Sequence, residues 1–314
     1  MQEDIGQEEL GLENTAQEKA LLEETPSPIQ RAEYHVRRRF PELSRSVTRY
    51  LFQHHLLRRH DGTTLKKGDP CKVDDIQWTL TELREALQPV SGKTLPVPVV
   101  WEDSDIWVVD KPSGIAPHPL RPKINGEGMP HLTEWAFQHD PTVAAHFPGL
   151  CPILTPHRLD ILTSGLQIVC RNAQSYVLWR ERFHQHEIVK TYHAWCEGLP
   201  TAESWTIDAP LFPSRRYGKM TTDPDEARVA KSWAASSDVR VLDRQLETNR
   251  CFCEITTQTG VTHQVRVHMA ASGFPLCGDP LYGANAVQSD TRFFMLKAVK
   301  LVYQDWIVTL PSPL

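Results

Sequence analysis

The sequence has no apolar run long enough to cross a membrane and no export signal at its start. A membrane-spanning helix needs about 18 or more consecutive apolar residues, and no stretch of this chain approaches that length. A secretory signal begins with basic residues and continues into an apolar segment, whereas the first residues here are acidic. These absences predict a soluble protein that acts in the cytoplasm and has no membrane partner.

The chain also lacks any Cys-x-x-Cys pair, although it contains seven cysteines. Their number is odd, and most of them lie in apolar segments. Disulfide frameworks and structural zinc sites both require cysteines at characteristic short spacings. The sequence therefore predicts reduced, buried thiols and no metal site. Cys251 and Cys253, two residues apart, are expected to share one face of a strand.

A net positive charge is missing as well, since the formal charge of the chain is −5. The acidic residues are concentrated at one end: residues 1–30 hold eight carboxylates and one lysine, which leaves +2 for residues 31–314. The field at a binding surface depends on nearby charges rather than on the chain total, so a nucleic-acid partner is not excluded. Residues 1–28 are predicted to be a disordered acidic tail.

Residues 29–86 are predicted to form a small basic domain. Residues 37–72 alone contain ten basic and three acidic side chains. Residues 42–57 have helical apolar spacing, and Arg45 and Arg49 lie one turn apart there, where they could straddle a phosphate backbone. Two glycine-containing turns then indicate a β-hairpin. This order of elements resembles the RNA-binding domain first recognised in a small-subunit ribosomal protein. A generic basic surface helix is the alternative interpretation.

Three prolines and a glycine make residues 87–98 a predicted linker. In the following segment, residues 99–314, short strand-like runs outnumber helical segments and do not alternate regularly with them. Regular alternation would be typical of a doubly wound parallel sheet. The pattern instead predicts an α+β domain built on a large mixed or antiparallel sheet, beside the small basic α/β domain at the N-terminus.

Polar side chains capable of catalysis are concentrated in residues 156–172, with the sequence PHRLDILTSGLQIVCRN. Asp160 precedes a tight Thr-Ser-Gly turn at 163–165, and an apolar strand follows at 166–170. Such a turn would hold the carboxylate at the edge of a sheet, where catalytic side chains commonly lie. Taken alone, however, Asp160 and Arg158 would be interpreted as a surface salt bridge.

The motif HRLDILTSGL, residues 157–166, resembles the signature of the RluA family of pseudouridine synthases, and three further segments match that family in order. They are the Lys-Pro-x-Gly segment in residues 101–119, the Lys-x-Tyr strand in 188–198, and residues 259–283, which combine Thr-His-Gln-x-Arg-x-His with Gly-Asp-x-x-Tyr-Gly. The resemblance spans roughly residues 97–310, about two-thirds of the chain. It implies an enzyme that isomerises uridine in structured ribosomal or transfer RNA and needs neither a cofactor nor a metal. A monomer is expected because nothing in the sequence indicates an obligate interface.

The same resemblance implies roles for individual residues. Asp160 is the catalytic carboxylate, acting either as a nucleophile at the sugar or as a base on the adjacent ribose proton. Arg266 is expected to pair with it and keep it ionised. Tyr192 would stack on the target base, and Arg158 would help to displace that base from the RNA. Lys111 is expected at the wall of the pocket, in contact with the base or the RNA.

Two positions depart from the family pattern. Val261 stands where the family usually has arginine, and Lys297 stands where it often has histidine. Both bear on which RNA is bound rather than on the reaction. The motif histidines His157, His263 and His268 are expected to be structural, and the last two lie five residues apart, which is a poor spacing for a zinc pair.

Two other functions compete with this interpretation. The first is a catalytically inactive RNA-binding or ribosome-assembly factor on the same fold, which the presence of all three predicted catalytic side chains disfavours. The second is a hydrolase that uses Ser164, His157 and Asp160. No Gly-x-Ser-x-Gly turn surrounds the serine, and the three residues are crowded into one short loop.

Overall fold

The structure is a computed structural model that describes residues 29–40, 45–53, 55–77, 95–118, 130–147, 153–216, 218–283 and 294–311. The predicted acidic tail and most of the predicted linker lie outside these residues. The chain divides into two units between Leu83 and Arg84, and the domain boundaries drawn from the sequence stay predictions. Among the helices of the described residues, none has the length and apolar character needed to cross a membrane.

In its described residues the N-terminal unit combines two short helices with two small strand pairs. Its elements are α1 (Ala32–Arg39), α2 (Arg45–Gln53), β1 (Gln30–Arg31) paired with β3 (Pro70–Cys71), and β2 (Arg58–Arg59) paired with β4 (Ile76–Gln77). Helix α2 is shorter than the helical spacing over 42–57 predicts. It buries Leu51 and Phe52, whereas Arg49 is exposed. The side chain of Arg45 lies outside the described part of the chain.

The C-terminal unit is built on one large mixed sheet. The strands of this unit are β5 (Val99–Glu102), β6 (Ile106–Lys111), β7 (Ser164–Cys170), β8 (Val189–Glu197), β9 (Ser204–Asp208), β10 (Phe212–Pro213), β11 (Met220–Thr221), β12 (Ser236–Gln245), β13 (Arg250–Thr257), β14 (Leu296–Tyr303) and β15 (Trp306–Thr309). Its helices are α3 (Leu132–His139), α4 (Ala173–His184) and α5 (Gln264–Ala271).

The strands of the large sheet run in the order β5-β6-β7-β14-β8-β13-β12-β9, with β15 paired to β14, while β10 and β11 form a separate ribbon. Neighbouring strands are antiparallel except for β7 and β14, which are parallel. Strand β14 therefore enters the middle of the sheet from the far end of the chain. This arrangement confirms the predicted α+β class with a mixed sheet.

Alternating burial along the strands shows which face of the sheet is covered. In β13, and in β12 as far as Val241, every second residue is buried, as expected of strands with one packed face. One core cluster lies beneath α3 and α4 and includes Trp107, Trp135 and Ile168. A second packs α5 against β8, β12 and β13 and includes Ile255 and Met269. The helix that carries the predicted Arg266 is therefore fixed directly on the sheet.

The parallel pair β7–β14 depends on a glycine at its first contact. Gly165 has φ +106°, and a Cβ built on it would overlap the backbone N and O of Ala298. Only glycine allows both the left-handed conformation and this close approach of two main chains. Because Gly165 is the second residue of β7, directly after the 156–163 loop, the contact also positions the segment that contains Asp160.

Substitution of Gly165 by alanine should lower the free energy of unfolding by about 3 kcal/mol, since backbone strain and a main-chain overlap both contribute. Gly273 is the matched control because its φ is +87° but no atom lies within 4 Å of the corresponding Cβ. Gly273→Ala should lower the free energy of unfolding by about 1 kcal/mol, because only the backbone strain contributes there. Urea unfolding of both variants measures the difference, and equal losses would contradict the close-approach argument.

Candidate active site

The loop before β7 is held in place by one buried glutamine. Gln167, fully buried in β7, donates its amide to the His157 carbonyl at 2.7 Å and accepts the Leu159 N–H at 3.1 Å. The backbone N–H of Ile168 donates to Nε2 of His157 at 3.0 Å. Arg158 and Asp160 are thereby presented on a braced loop rather than a free one. Sequence reasoning missed Gln167 because a glutamine within an apolar strand has no motif of its own.

Arg266 connects Asp160 to a second carboxylate. From α5 its Nη1 donates to Oδ2 of Asp160 at 2.9 Å, while Nε and Nη2 donate to the two oxygens of Asp279 at 2.9 and 2.8 Å. Arg266 is 4% exposed and Asp279 is fully buried. Oδ1 of Asp279 also accepts the N–H groups of Leu281 and Tyr282. The expected pairing of Asp160 with a distant arginine, rather than with Arg158, is what the structure contains.

The titration of these groups follows from their contacts. Burial alone would lower the pKa of Arg266, but the hydrogen bonds and charge of Asp279, and then the charge of Asp160, raise it above its ordinary value. Burial alone would raise the pKa of Asp279, but its hydrogen bonds to Arg266 keep that pKa below the ordinary value. The guanidinium is therefore a permanent positive charge beside Asp160.

His263, expected to be structural, lies against the same carboxylate. Its Nε2 is 3.8 Å from Oδ2 of Asp160, and its Nδ1 is 2.9 Å from the Tyr282 hydroxyl. That hydroxyl accepts the Met220 N–H at 2.8 Å, which leaves its own hydrogen to donate to Nδ1. The contacts favour the Nε2–H tautomer, with its hydrogen on the side of Asp160. Burial lowers the pKa of His263, which favours the neutral ring.

Tyr192 lies on β8 beside the same pocket and packs partly against the core under α5. Burial, and then the charge of Asp160, raises the pKa of its hydroxyl, so the ring stays neutral. Arg158 also lines the pocket, and its side chain is exposed. Tyr192 and Arg158, the residues predicted to stack on and to displace the target base, therefore line the same pocket as Asp160 and Arg266.

Lys111, predicted to contact the base or the RNA at the pocket wall, lies in the interior of the protein. Its side chain is fully buried, and Nζ donates to the carbonyls of Pro112, Ile115 and Ile161 at 2.9–3.2 Å. Burial lowers its pKa to about 8, against the opposing charges of Asp160 and Asp110. With all three hydrogens of the ammonium used, Lys111 joins the loop after β6 to the loop around Asp160. Its role is to support the pocket wall from behind.

The pocket has a volume of about 840 Å³, within the range of small-ligand sites. Val261, which replaces the family arginine, lines it, so this departure alters the pocket surface itself. Lys297 instead pairs with Asp110 at 3.0 Å, with its side chain 18% exposed. Of the two departures, the contacts of the described residues connect only the first with the pocket.

The geometry argues against the hydrolase alternative. Nε2 of His157 accepts the Ile168 N–H, and burial lowers the pKa of this histidine to about 3. Its ring stacks on Phe183 at 4.3 Å between centroids. The hydroxyl of Ser164 donates to the Leu296 carbonyl at 3.5 Å. Nε2 of His157 is thus occupied by the backbone, and the low pKa makes the ring a weak base for activating a serine.

Comparison with known proteins agrees with this geometry. A family model described as RNA pseudouridylate synthase matches residues 105–271, which include Asp160, Tyr192 and Arg266. An uncharacterized RNA pseudouridine synthase of Bacillus subtilis is 30% identical over 234 residues, covering 71% of each chain. The ribosomal large subunit pseudouridine synthase D of Pseudomonas aeruginosa is 31% identical over 224 residues, covering 71% of this chain and 64% of that one.

Solved structures give the same result for the fold. The human protein RNA Pseudouridylate Synthase Domain Containing 1 superposes with a TM-score of 0.56 at 23% identity, covering 71% of this chain and 85% of that chain. Its relative, Domain Containing 4, gives a TM-score of 0.52 at 21% identity, covering 75% and 93%. With a family model over more than half of its length and relatives 30% identical, this chain belongs to the RNA pseudouridylate synthase family of isomerases.

Proposed function

We propose that this enzyme converts a uridine of large-subunit ribosomal RNA to pseudouridine, with Asp160 as its catalytic carboxylate. The proposal is carried by the 2.9 Å contact between Asp160 and the buried Arg266, at a pocket large enough for a nucleotide. The ribosomal substrate is supported by the synthases named for the large ribosomal subunit in Pseudomonas aeruginosa and Xanthomonas campestris, each 31% identical. Transfer RNA is the competing substrate.

The reaction explains why an ionised carboxylate is needed. The bond from N1 of uracil to C1′ of ribose breaks, the base turns, and C5 of the base bonds to C1′. The electron pair of the broken bond leaves with the uracil; C5 then loses a proton, and N1 gains one. Whether the carboxylate attacks C1′ or removes the proton on C2′, it must be ionised first. The fixed charge of Arg266 favours that state of Asp160.

The surrounding contacts suggest how the site is used. Arg266 and His263 both approach Oδ2 of Asp160, so we infer that Oδ1 reacts with the substrate. The neutral ring of Tyr192 offers a stacking face for the uracil at little conformational cost. The exposed guanidinium of Arg158 can occupy the space that the flipped base leaves in the RNA.

Asp160→Asn should reduce tritium release from RNA labelled at C5 of uridine by at least about a thousandfold, because asparagine supplies neither a nucleophile nor a base. RNA affinity should remain within about threefold of the native value. Asp110→Asn is the matched control, since Asp110 and Asp160 each pair with one cation and are each 24% exposed. Activity in Asp160→Asn would contradict the assignment of Asp160 as the catalytic carboxylate. An inactive native protein would favour the alternative function, a catalytically inactive RNA-binding or ribosome-assembly factor.

Asp279→Asn should lower the free energy of unfolding by about 3 kcal/mol at pH 7, because a buried guanidinium loses its bidentate partner. The pKa of Asp279 is depressed in the folded state, so its stabilisation is present above the unfolded pKa and is lost as the pH falls. The difference in the free energy of unfolding between the native protein and the variant should therefore shrink as the pH falls from about 5 towards 2. Urea unfolding across that range tests this, with exposed Asp243→Asn as control; a constant gap would contradict it.

We further propose that residues 29–86 bind RNA through phosphate contacts. Several cations of this unit are exposed, among them Arg37, Arg38, Arg49 and Arg58. Phosphate contacts release counterions from the RNA, so their number sets how steeply affinity falls with salt.

Replacing both Arg49 and Arg58 with alanine should reduce the magnitude of the slope of log affinity against log salt concentration by about 1–2. Arg250→Ala is the control. This arginine is also exposed, but it lies at the start of β13, and the residue of β13 that lines the pocket is Thr257 at the opposite end of the strand. Fluorescence anisotropy with a labelled ribosomal RNA fragment measures the slopes. Equal slopes for the double variant and the control would remove this unit from RNA binding.

A further inference from the structure

Three thiols converge in the core behind the pocket. Cys196 on β8 lies opposite Cys251 on β13 in the strand register, and Cys253, two residues further along, extends from the same face. The three sulfur atoms all lie within 4.8 Å of one another, and those of Cys251 and Cys253 are 3.6 Å apart. Each of the three residues is fully buried.

These separations are close to those of thiolates that share a metal ion. Metal–sulfur bonds are about 2.3 Å long, so sulfurs around one ion lie roughly 3.8–4.0 Å apart. The three side chains would need only small rotations to reach this spacing. All three donors lie on two hydrogen-bonded strands, and Cys196 and Cys251 form the second register pair from one end of that ladder.

The surroundings select the class of ion. The cluster packs among apolar side chains, including Val239, Val241, Val265 and Leu276, so among the described residues it offers sulfur rather than oxygen donors. Such a donor set excludes hard cations such as Mg²⁺ and Ca²⁺ and suits Cu⁺ or Zn²⁺. Structural zinc takes four protein ligands, whereas the described part of the chain brings three donors together. Three-coordinate thiolate sites suit Cu⁺.

We propose that Cys196, Cys251 and Cys253 form a binding site for a single Cu⁺ ion. Coordination requires no change of oxidation state, and each thiol that becomes a thiolate releases its proton to solvent. Because the thiols are buried, the ion enters as the chain folds rather than through an open channel.

A metal ion here would stabilise the elements that carry the catalytic residues without taking part in the reaction. Tyr192 lies on β8 four residues before Cys196, and its register partner Ile255 lies two residues after Cys253. Helix α5, with Arg266, packs on the same cluster through Val265 and Met269. The site is independent of the role of Asp160, since the ion would tie β8 to β13 whatever chemistry the pocket performs.

The full-length chain should be refolded anaerobically with reductant and Cu⁺ in the presence of a Cu⁺ chelator. We expect one Cu⁺ per chain and a higher Tm than in the metal-free protein. X-ray absorption of the unsubstituted, Cu⁺-loaded protein should show three sulfur neighbours around the copper at about 2.3 Å. This readout needs no variant and therefore holds even if a substitution prevents folding.

Cys251→Ser should weaken Cu⁺ binding at least a hundredfold. Cys170→Ser should change it less than twofold, because Cys170 is equally buried but lies in the other core cluster. Tighter binding of Zn²⁺ than of Cu⁺, fewer than three sulfur neighbours, or equal affinities for the two variants would each overturn the proposal. Activity of the metal-free enzyme at low temperature should be unchanged, and a complete loss would contradict a purely stabilising role.

Discussion

The guanidinium of Arg266 is the constraint on which the rest of the site depends. It is almost completely buried, and a buried cation without partners costs several kcal/mol. Asp279 pairs with it bidentately from the turn after α5, and Asp160 pairs with it from the loop before β7. The two segments are far apart in the sequence, so the arginine joins separate parts of the fold through charge-assisted hydrogen bonds.

The two aspartates differ in what surrounds them. Asp279 is fully buried, and besides both guanidinium bonds it accepts two backbone N–H groups. Asp160 is 24% exposed and borders the pocket. A structural carboxylate thus neutralises the buried cation permanently, and a second carboxylate shares its field while facing the substrate space. His263, kept neutral by burial, adds a hydrogen on the same side without adding charge.

Much of the fold and the centre of the site could be predicted from the sequence, because strand patterns and motif residues are local. The α+β class follows from short strands without regular helix alternation, and the order of the motifs predicts the pairing of Asp160 with Arg266. Asp279 and Tyr282 belong to the Gly-Asp-x-x-Tyr-Gly motif. Their contacts with Arg266 and His263 nevertheless depend on the conformation of the turn after α5, which the motif alone does not predict.

Other features depend on tertiary contacts that no local pattern contains. Lys111 follows an apolar strand in a way that suits either a pocket or the interior, and only the packing of two loops shows that it is buried. The spacing of Cys196, Cys251 and Cys253 along the chain argues against a shared site. Their proximity results from the register of β8 and β13, which is set by pairing along the whole strands.

The position of β14 has a consequence for synthesis of the chain. This strand separates β7 from β8, so the two halves of the sheet are joined only through a segment near the C-terminal end. While the chain emerges from the ribosome, β7 and β8 each present an unpaired edge, a template for aggregation. Closure by so distant a strand is slow compared with local pairing. Until β14 has been synthesised, the edges of β7 and β8 therefore stay open to pairing with other chains.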